Sequence, residues 1–356
     1  MMRPAMTTAV HLDTSALRFY QDAPDNYCHF VLGNLFEVFV GLSESGVVEA
    51  DLDLTHNNVL PKFEPLYSVF TARPLRRLSS HAEGARKLSL TPTVDWTTLE
   101  STRDFGHYLT GFQSFIWNRL NIRPAAPANQ VTLIRRNRVA SNRYVINEAQ
   151  LIGQLEAECK RRGVAFEVVD FEGMPFERQV ALMSRTSVLI GIHGAGLVNA
   201  MFLPPGAAVI ELLPHRKFES FFFRWTGISK GHVWVRLMEP SWSVPSLYNL
   251  FLACTRKGHT RKNRFFRDRN AVFEPESVSR ALSYALRDAG LPSSGLEVDV
   301  TLEADERRLW RKLSLLRTHR KFLLGLALAC LVIATSPVPV VSAIVAVVLA
   351  VLAFFV

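Results

Sequence analysis

Cysteine is scarce in this chain of 356 residues. Its four cysteines, Cys28, Cys159, Cys254 and Cys330, lie far apart, and no two form a CxxC pair. A disulfide framework and a cysteine-based metal site are therefore not expected. The sequence has no HExxH, so a zinc-hydrolase reading has no footing. It has neither G-x-G-x-x-G nor a loop ending in GK[ST], which removes the two commonest phosphate-binding fingerprints. It has no N-x-S/T acceptor and no internal repeat. The first residues hold no long apolar run, so neither a signal peptide nor an N-terminal anchor is expected. Charged side chains are absent from all of Phe322 to Val356, thirty-five residues.

That last absence is informative. About 20 apolar residues suffice to cross a bilayer as a helix. Ser336-Pro337-Val338-Pro339 interrupts the run, so it reads as one kinked span or as a hairpin of two short ones. Just before it, residues 307–321 carry seven Lys/Arg and no acid, a stretch suited to lipid headgroups. By the positive-inside rule this flank places the folded part on the cytosolic side. A second basic stretch, residues 256–269, carries seven Lys/Arg against one Asp. Both add to the formal net charge of +9. They read as solvated faces or as attraction to phosphate on a ligand or membrane. No base-reading motif accompanies them, so nucleic acid is not an expected partner.

Between these features the chain reads as mixed α/β. Residues 1–20 read as a disordered lead. Residues 21–125 contain the apolar segment LFEVFVGL and the helically spaced GHYLTGFQSFIWNRL, with a weakly patterned stretch at 71–104. From residue 126 onward strands alternate with helices. The spacing predicts strands at 131–134, 164–170, 187–193, 207–213 and 232–237. It predicts helices at 147–163, 174–186, 196–203, 215–227 and 276–289, and another at 303–320 leading into the apolar run. The strands lack polar alternation, as in a parallel sheet covered on both faces. We therefore expect two Rossmann-like halves facing a cleft, at 21–125 and 126–300. A basic juxtamembrane helix at 301–321 and a transmembrane segment or hairpin at 322–356 would follow. Asp51-Leu52-Asp53 resembles a metal-binding acid pair but sits in the first half, and we read it as a loop.

The stretch Gly191 to Pro214, GIHGAGLVNAMFLPPGAAVIELLP, carries the chemistry. His193, Gly194, Ala195 and Gly196 follow an apolar strand and open a short helix. Ligands of open parallel sheets bind at the carboxyl ends of the strands. Outward backbone amides at a helix start suit an anion, diphosphate in particular. A tight structural turn is the alternative. A remote rival is an α/β-hydrolase, because HGAG resembles an oxyanion loop and Gly227-Ile228-Ser229-Lys230-Gly231 spells G-x-S-x-G. That serine would need a strand-to-helix elbow, whereas here the order is helix then strand.

Residues 131–214 also resemble glycosyltransferase family 61. The shared pattern comprises Arg135-Arg136, then Arg143-Tyr144-Val145-Ile146-Asn147-Glu148, then His193-Gly194-Ala195-Gly196-Leu197. Asn199, Phe202, Pro204-Pro205-Gly206 and Glu211 complete it, in order. The resemblance implies a GT-B-like fold and inverting transfer of a sugar from a nucleotide sugar, UDP-GlcNAc or UDP-xylose, to a glycan or protein hydroxyl. It implies no cofactor and no metal, and an endomembrane (ER or Golgi) location. The donor-binding residues it points to are Arg136, Arg143, Asn147, His193, Gly194, Ala195, Gly196, Leu197, Asn199 and Glu211. Arg136, Arg143 and the 194–196 amides would neutralise the leaving diphosphate. His193 would meet a phosphate or ribose, or cap the strand; Glu211 would grip ribose or backbone; Asn147 and Asn199 would cap or position. Asn26-Tyr27-Cys28-His29 resembles the family's N-Y-x-H helix. Where many members then place an Asp, this chain has Gly33. Glu37, one helical turn later, and His29 are the candidate bases. A member that binds sugar or protein without turnover is the alternative function.

Overall fold

The computed structural model describes residues 10–13, 26–46, 52–56, 60–71, 76–77, 86–89, 105–123, 129–136, 143–215, 233–237, 242–245 and 268–287. The expected helices at 215–227 and 303–320, the Gly227–Gly231 motif and the 322–356 run lie outside them. Among the described residues no helix is long and apolar enough to cross a membrane.

Two parallel sheets organise the chain. The first contains β1 (Val10–Asp13), β2 (Leu52–His56), β3 (Arg76–Arg77) and β4 (Arg86–Ser89), in the order β3-β2-β1-β4. All its pairings are parallel. This corrects two expectations. The segment read as a disordered lead supplies a strand of this sheet. The acid pair read as a loop runs into β2, where Asp53 pairs with His11. Both segments are short, yet Val10-His11-Leu12-Asp13 and Leu52-Asp53-Leu54-Thr55 alternate apolar and polar residues, the pattern of a half-buried strand.

The second sheet contains β5 (Gln130–Ile134), β6 (Ala165–Val169), β7 (Val188–Ile192), β8 (Ala208–Leu212) and β9 (Val233–Leu237), in the order β6-β5-β7-β8-β9. All its pairings are parallel, as the alternation of elements predicted. The order reverses direction between β5 and β7, which makes that pair a topological switch point. The antiparallel strands β10 (Trp242–Pro245) and β11 (Arg269–Val272) form a separate pair.

Alternate residues of the second sheet serve two cores. Val131, Leu133, Val188, Ile190, Ile192, Ala208, Ile210 and Leu212 pack beneath the helices Glu148–Arg162 and Pro275–Arg287. Gly163, with φ of 66°, ends the former helix in the left-handed conformation that glycine adopts without strain. The opposite face offers Ile134, Leu189 and Val209 to an aromatic-rich layer. That layer contains the helix Phe105–Arg119, the 3-10 helix Glu64–Val69, and a helix that begins at Tyr27–Phe30. The last passes through a π-helical stretch, Val31–Phe36, and continues as Glu37–Glu44. Phe30 stacks on Phe63 at 4.6 Å, and Phe112 lies between Phe36, Phe39 and Phe202. One core therefore joins residues on both sides of position 125.

Candidate functional site

A cleft of about 940 Å³ opens where the helical layer meets the carboxyl ends of β5, β6 and β7. This is the location expected of a ligand site at a switch point. From the helical side come Asn26, Tyr27 and Lys62; from the strand ends come Arg135, Arg136, Asp170, Phe171 and Gly194. Ala195, Gly196, Leu197, Arg143 and Asp268 also line it. The helix Ala195–Phe202 is of 3-10 type and starts directly at the cleft. Its first amides have no acceptor within the helix and remain available to an anion.

Arg136 lies directly over Gly194. A Cβ at Gly194 would stand 2.5 Å from Arg136 Nη1 and 2.9 Å from Cζ. Arg136 Nη1 donates to the His193 carbonyl at 3.3 Å. Gly194 has an extended backbone (φ 170°), so its glycine character answers the guanidinium and not backbone strain. Gly196 is less crowded: a Cβ there would meet Ile134 and Phe171 at ordinary contact distance, 3.5 Å each. Arg143 reaches the same cleft and pairs with the buried Asp268 at 3.4 Å.

Six of the ten donor-side residues named from sequence thus meet at the cleft: Arg136, Arg143, Gly194, Ala195, Gly196 and Leu197. The side chains of the other four have different work. Gly191 pairs with Glu211 across β7 and β8, so His193 and Glu211 lie diagonally on one face. Both are buried, and His193 Nδ1 lies 2.6 Å from Glu211 Oε1. Glu211 thus holds the imidazole of His193 through Oε1, a structural role, and it is not among the residues lining the cleft. Asn147 donates from Nδ2 to the Phe273 carbonyl at 2.7 Å and accepts from the Phe273 amide at 3.2 Å. It ties β11 to the sheet's helix and makes no side-chain cap.

Asn199, fully buried, joins three elements. Its Oδ1 accepts from the Tyr27 hydroxyl at 3.0 Å, and its Nδ2 donates to Gln179 Oε1 at 2.8 Å. Gln179 Nε2 in turn donates to the carbonyls of Met174, at 2.8 Å, and Phe171, at 3.4 Å. Burial raises the Tyr27 pKa far above the ordinary phenol range, opposed in part by the Asn199 bond, so the hydroxyl stays a donor. Sequence reading placed Tyr27 in the N-Y-x-H motif without assigning it this role, and it missed Gln179. A signal existed for Gln179, a polar residue on the stripe Phe176, Gln179, Val180, Met183 of the helix Phe176–Met183.

On the helical side, Asn26 caps its helix, its Oδ1 accepting from the amides of Cys28 at 2.9 Å and His29 at 3.4 Å. Gly33 and the buried Asn34 sit in the π-helical stretch, and the Tyr67 hydroxyl donates to Asn34. Neither His29 nor the buried Glu37 is among the residues lining the cleft. The carboxylates that do line it are Asp170, Glu172, Glu177 and Asp268.

Comparison with known proteins agrees with this arrangement. The family model "Glycosyltransferase 61" matches residues 27–210, a span that begins at Tyr27 and includes the cleft's glycine turn. The EGF domain-specific O-linked N-acetylglucosamine transferase of Drosophila melanogaster is 30% identical over 203 residues, covering 52% of this chain and 38% of the fly protein. The protein O-linked-mannose beta-1,4-N-acetylglucosaminyltransferase 2 of Mus musculus is 38% identical over 111 residues. Its Danio rerio counterpart is 36% identical over 110 residues. Each of these two alignments covers 31% of this chain and 18% of the relative. The chain thus spans well under half the length of these relatives. The family match takes in just over half of the chain, and the chain belongs to glycosyltransferase family 61.

Proposed function

We propose that the protein transfers a sugar, with inversion, from a UDP-sugar to a hydroxyl of a glycan or protein, without a metal. The observation that carries this reading is Arg136 laid over Gly194 at the mouth of the 3-10 helix, with Arg143 in the same cleft. A leaving diphosphate needs its growing charge met by fixed donors, and guanidinium groups with first-turn amides provide them. The family's relatives named as N-acetylglucosamine transferases make UDP-GlcNAc the first donor to try, with UDP-xylose next. The two parallel sheets are the halves of a GT-B-like frame in this reading. The uncharged 322–356 run anchors the protein to an endomembrane, and residues 307–321 lie at the headgroups.

One observation favours a second reading, a family member that binds but does not turn over. Gly33 removes a carboxylate, and neither His29 nor Glu37 lines the cleft. The two readings separate in one experiment. UDP release by the purified full chain is measured across a panel of UDP-sugars with mixed glycan and peptide acceptors. Turnover with one donor supports transfer. UDP binding without turnover of any donor supports the binding role, and failure to bind UDP at all sinks both. Within the first reading, Arg136→Ala should weaken UDP binding by about tenfold or more, the worth of one charge-assisted bond. Unchanged affinity would remove Arg136 from the diphosphate site.

A further inference from the structure

The cleft's charges are segregated. Arg136, the glycine turn and Arg143 with its ion-pair partner Asp268 form one part of its lining; Asp170, Glu172 and Glu177 form another, around the loop that follows β6. We infer that Asp170 and Phe171 read the nucleoside of the bound nucleotide, Asp170 through the ribose diol and Phe171 by stacking on the base. This inference rests on the function proposed above and adds which end of the donor lies where.

The topology supplies the spacing. Strand β5 lies between β6 and β7; Ile134 is in register with both Val169 and Gly191, and the Arg135 amide donates to the Val169 carbonyl at 2.8 Å. Asp170 leaves the end of β6, and Gly194 lies just beyond the end of β7. They therefore flank Arg136 on opposite sides, about two strand spacings, or roughly 10 Å, apart along the sheet edge. That separation suits a ligand whose phosphates end at Gly194 and whose ribose ends at Asp170. The reverse orientation would set a diphosphate against three carboxylates.

The chemistry of the two residues fits those roles. An ionised carboxylate only accepts hydrogen bonds, and a vicinal diol offers two donors. Asp170 Oδ1 already accepts from the Glu172 amide at 2.9 Å, which fixes the side chain and leaves Oδ2 for a ligand. Phe171 is half-buried in the cleft wall, its Cδ2 beside Gly196. The loop is fixed in advance of binding. The Met174 amide donates to the Phe171 carbonyl at 3.2 Å, and Gln179 holds both the Phe171 and Met174 carbonyls. Asn199 and Tyr27 hold Gln179 from behind. A wall held this way loses little freedom when a ligand docks.

The test is calorimetric titration of the full chain with UDP, 2′-deoxy-UDP and inorganic pyrophosphate. The wild type should prefer UDP to 2′-deoxy-UDP. Asp170→Asn keeps the Oδ1 acceptor for Glu172 and replaces the second acceptor with a donor. It should cost UDP about fivefold or more, leave pyrophosphate within about twofold, and abolish the preference for UDP over its deoxy form. Phe171→Ala should weaken UDP but not pyrophosphate, by a comparable factor. Equal losses for UDP and pyrophosphate would overturn the assignment by showing a general structural effect. Unchanged UDP affinity in both variants would overturn it too, and would move these residues to the transferred sugar or the acceptor. A wild type that binds no UDP would instead overturn the function on which the inference rests.

Discussion

On its sheet side the cleft presents arginines and backbone amides, held on strand ends whose neighbours are paired in register. On its helical side it presents Asn26, Tyr27 and Lys62, backed by interlocking aromatic rings. Buried polar groups occur on both sides. Near the strand ends His193, Glu211, Asn199 and Gln179 are buried and bonded to named partners. The helical layer buries Asn34 and Gln113, bonded to the Tyr67 hydroxyl and the Leu203 carbonyl, within packing dominated by Phe30, Phe36, Phe39, Phe112 and Phe115. Buried polar groups cost free energy unless they are bonded. On the sheet side such bonds fix the loop and turn that line the cleft, and on the helical side the aromatic packing is the larger part. Binding energy should therefore reside on the sheet side and folding energy on the helical side.

The largest test is Phe112→Ala. Phe112 is fully buried among Phe36, Phe39 and Phe202, and its truncation should cost about 3–5 kcal/mol of folding stability. Chemical denaturation measures this, and UDP affinity of the protein that remains folded should be unchanged. A matching loss of affinity would dissolve the division. Gly194→Ala probes the other side. The new methyl displaces the Arg136 guanidinium, a flexible group, so stability should shift by no more than about 0.5 kcal/mol. UDP affinity should fall about tenfold, or about 1.4 kcal/mol. A variant that instead melts early with its affinity intact would show that the turn is structural.

The smallest effect concerns a region far from either wall. The Arg161 hydrogen bond, with help from Arg162, holds the Glu158 carboxyl down at about 2, against an ordinary 4.5. A depressed carboxyl pKa stabilises the fold above the unfolded value and loses that contribution as pH falls through the folded one. Glu158→Gln should therefore cost stability at pH 5 and above and cost progressively less between about 4.5 and about 2. As the arginines are partly solvated, the loss should stay below about 1 kcal/mol. Melting curves from pH 2 to 7 measure it, and a pH-independent difference would assign the loss to packing.

These contrasts also explain what could be read from the sequence. Strands β5, β7 and β8 are buried along their whole length, so their apolar runs announce them. The glycine turn was legible because it follows such a run. The roles of Asn147 and Glu211 were not, because each depends on a partner supplied by register or by a distant segment. Phe273 lies 126 residues from Asn147, and the Glu211–His193 contact exists only because β7 pairs with β8 as it does. Strands β1 and β2 announce themselves only by a short apolar/polar alternation, a far weaker signal than a continuous apolar run.

The hydrogen-bonded chain from Tyr27 through Asn199 to Gln179 has a practical consequence for anyone dissecting the protein. A fragment beginning at residue 126 would retain the whole second sheet but lose the phenol that bonds Asn199. It would also lose Gln113, whose side chain bonds the Leu203 carbonyl, and the rings that cover Val209 and Phe202. Its exposed face would be greasy and its glycine turn unsupported. The sequence suggests a modular boundary near 125, but the molecule offers no clean place to cut there.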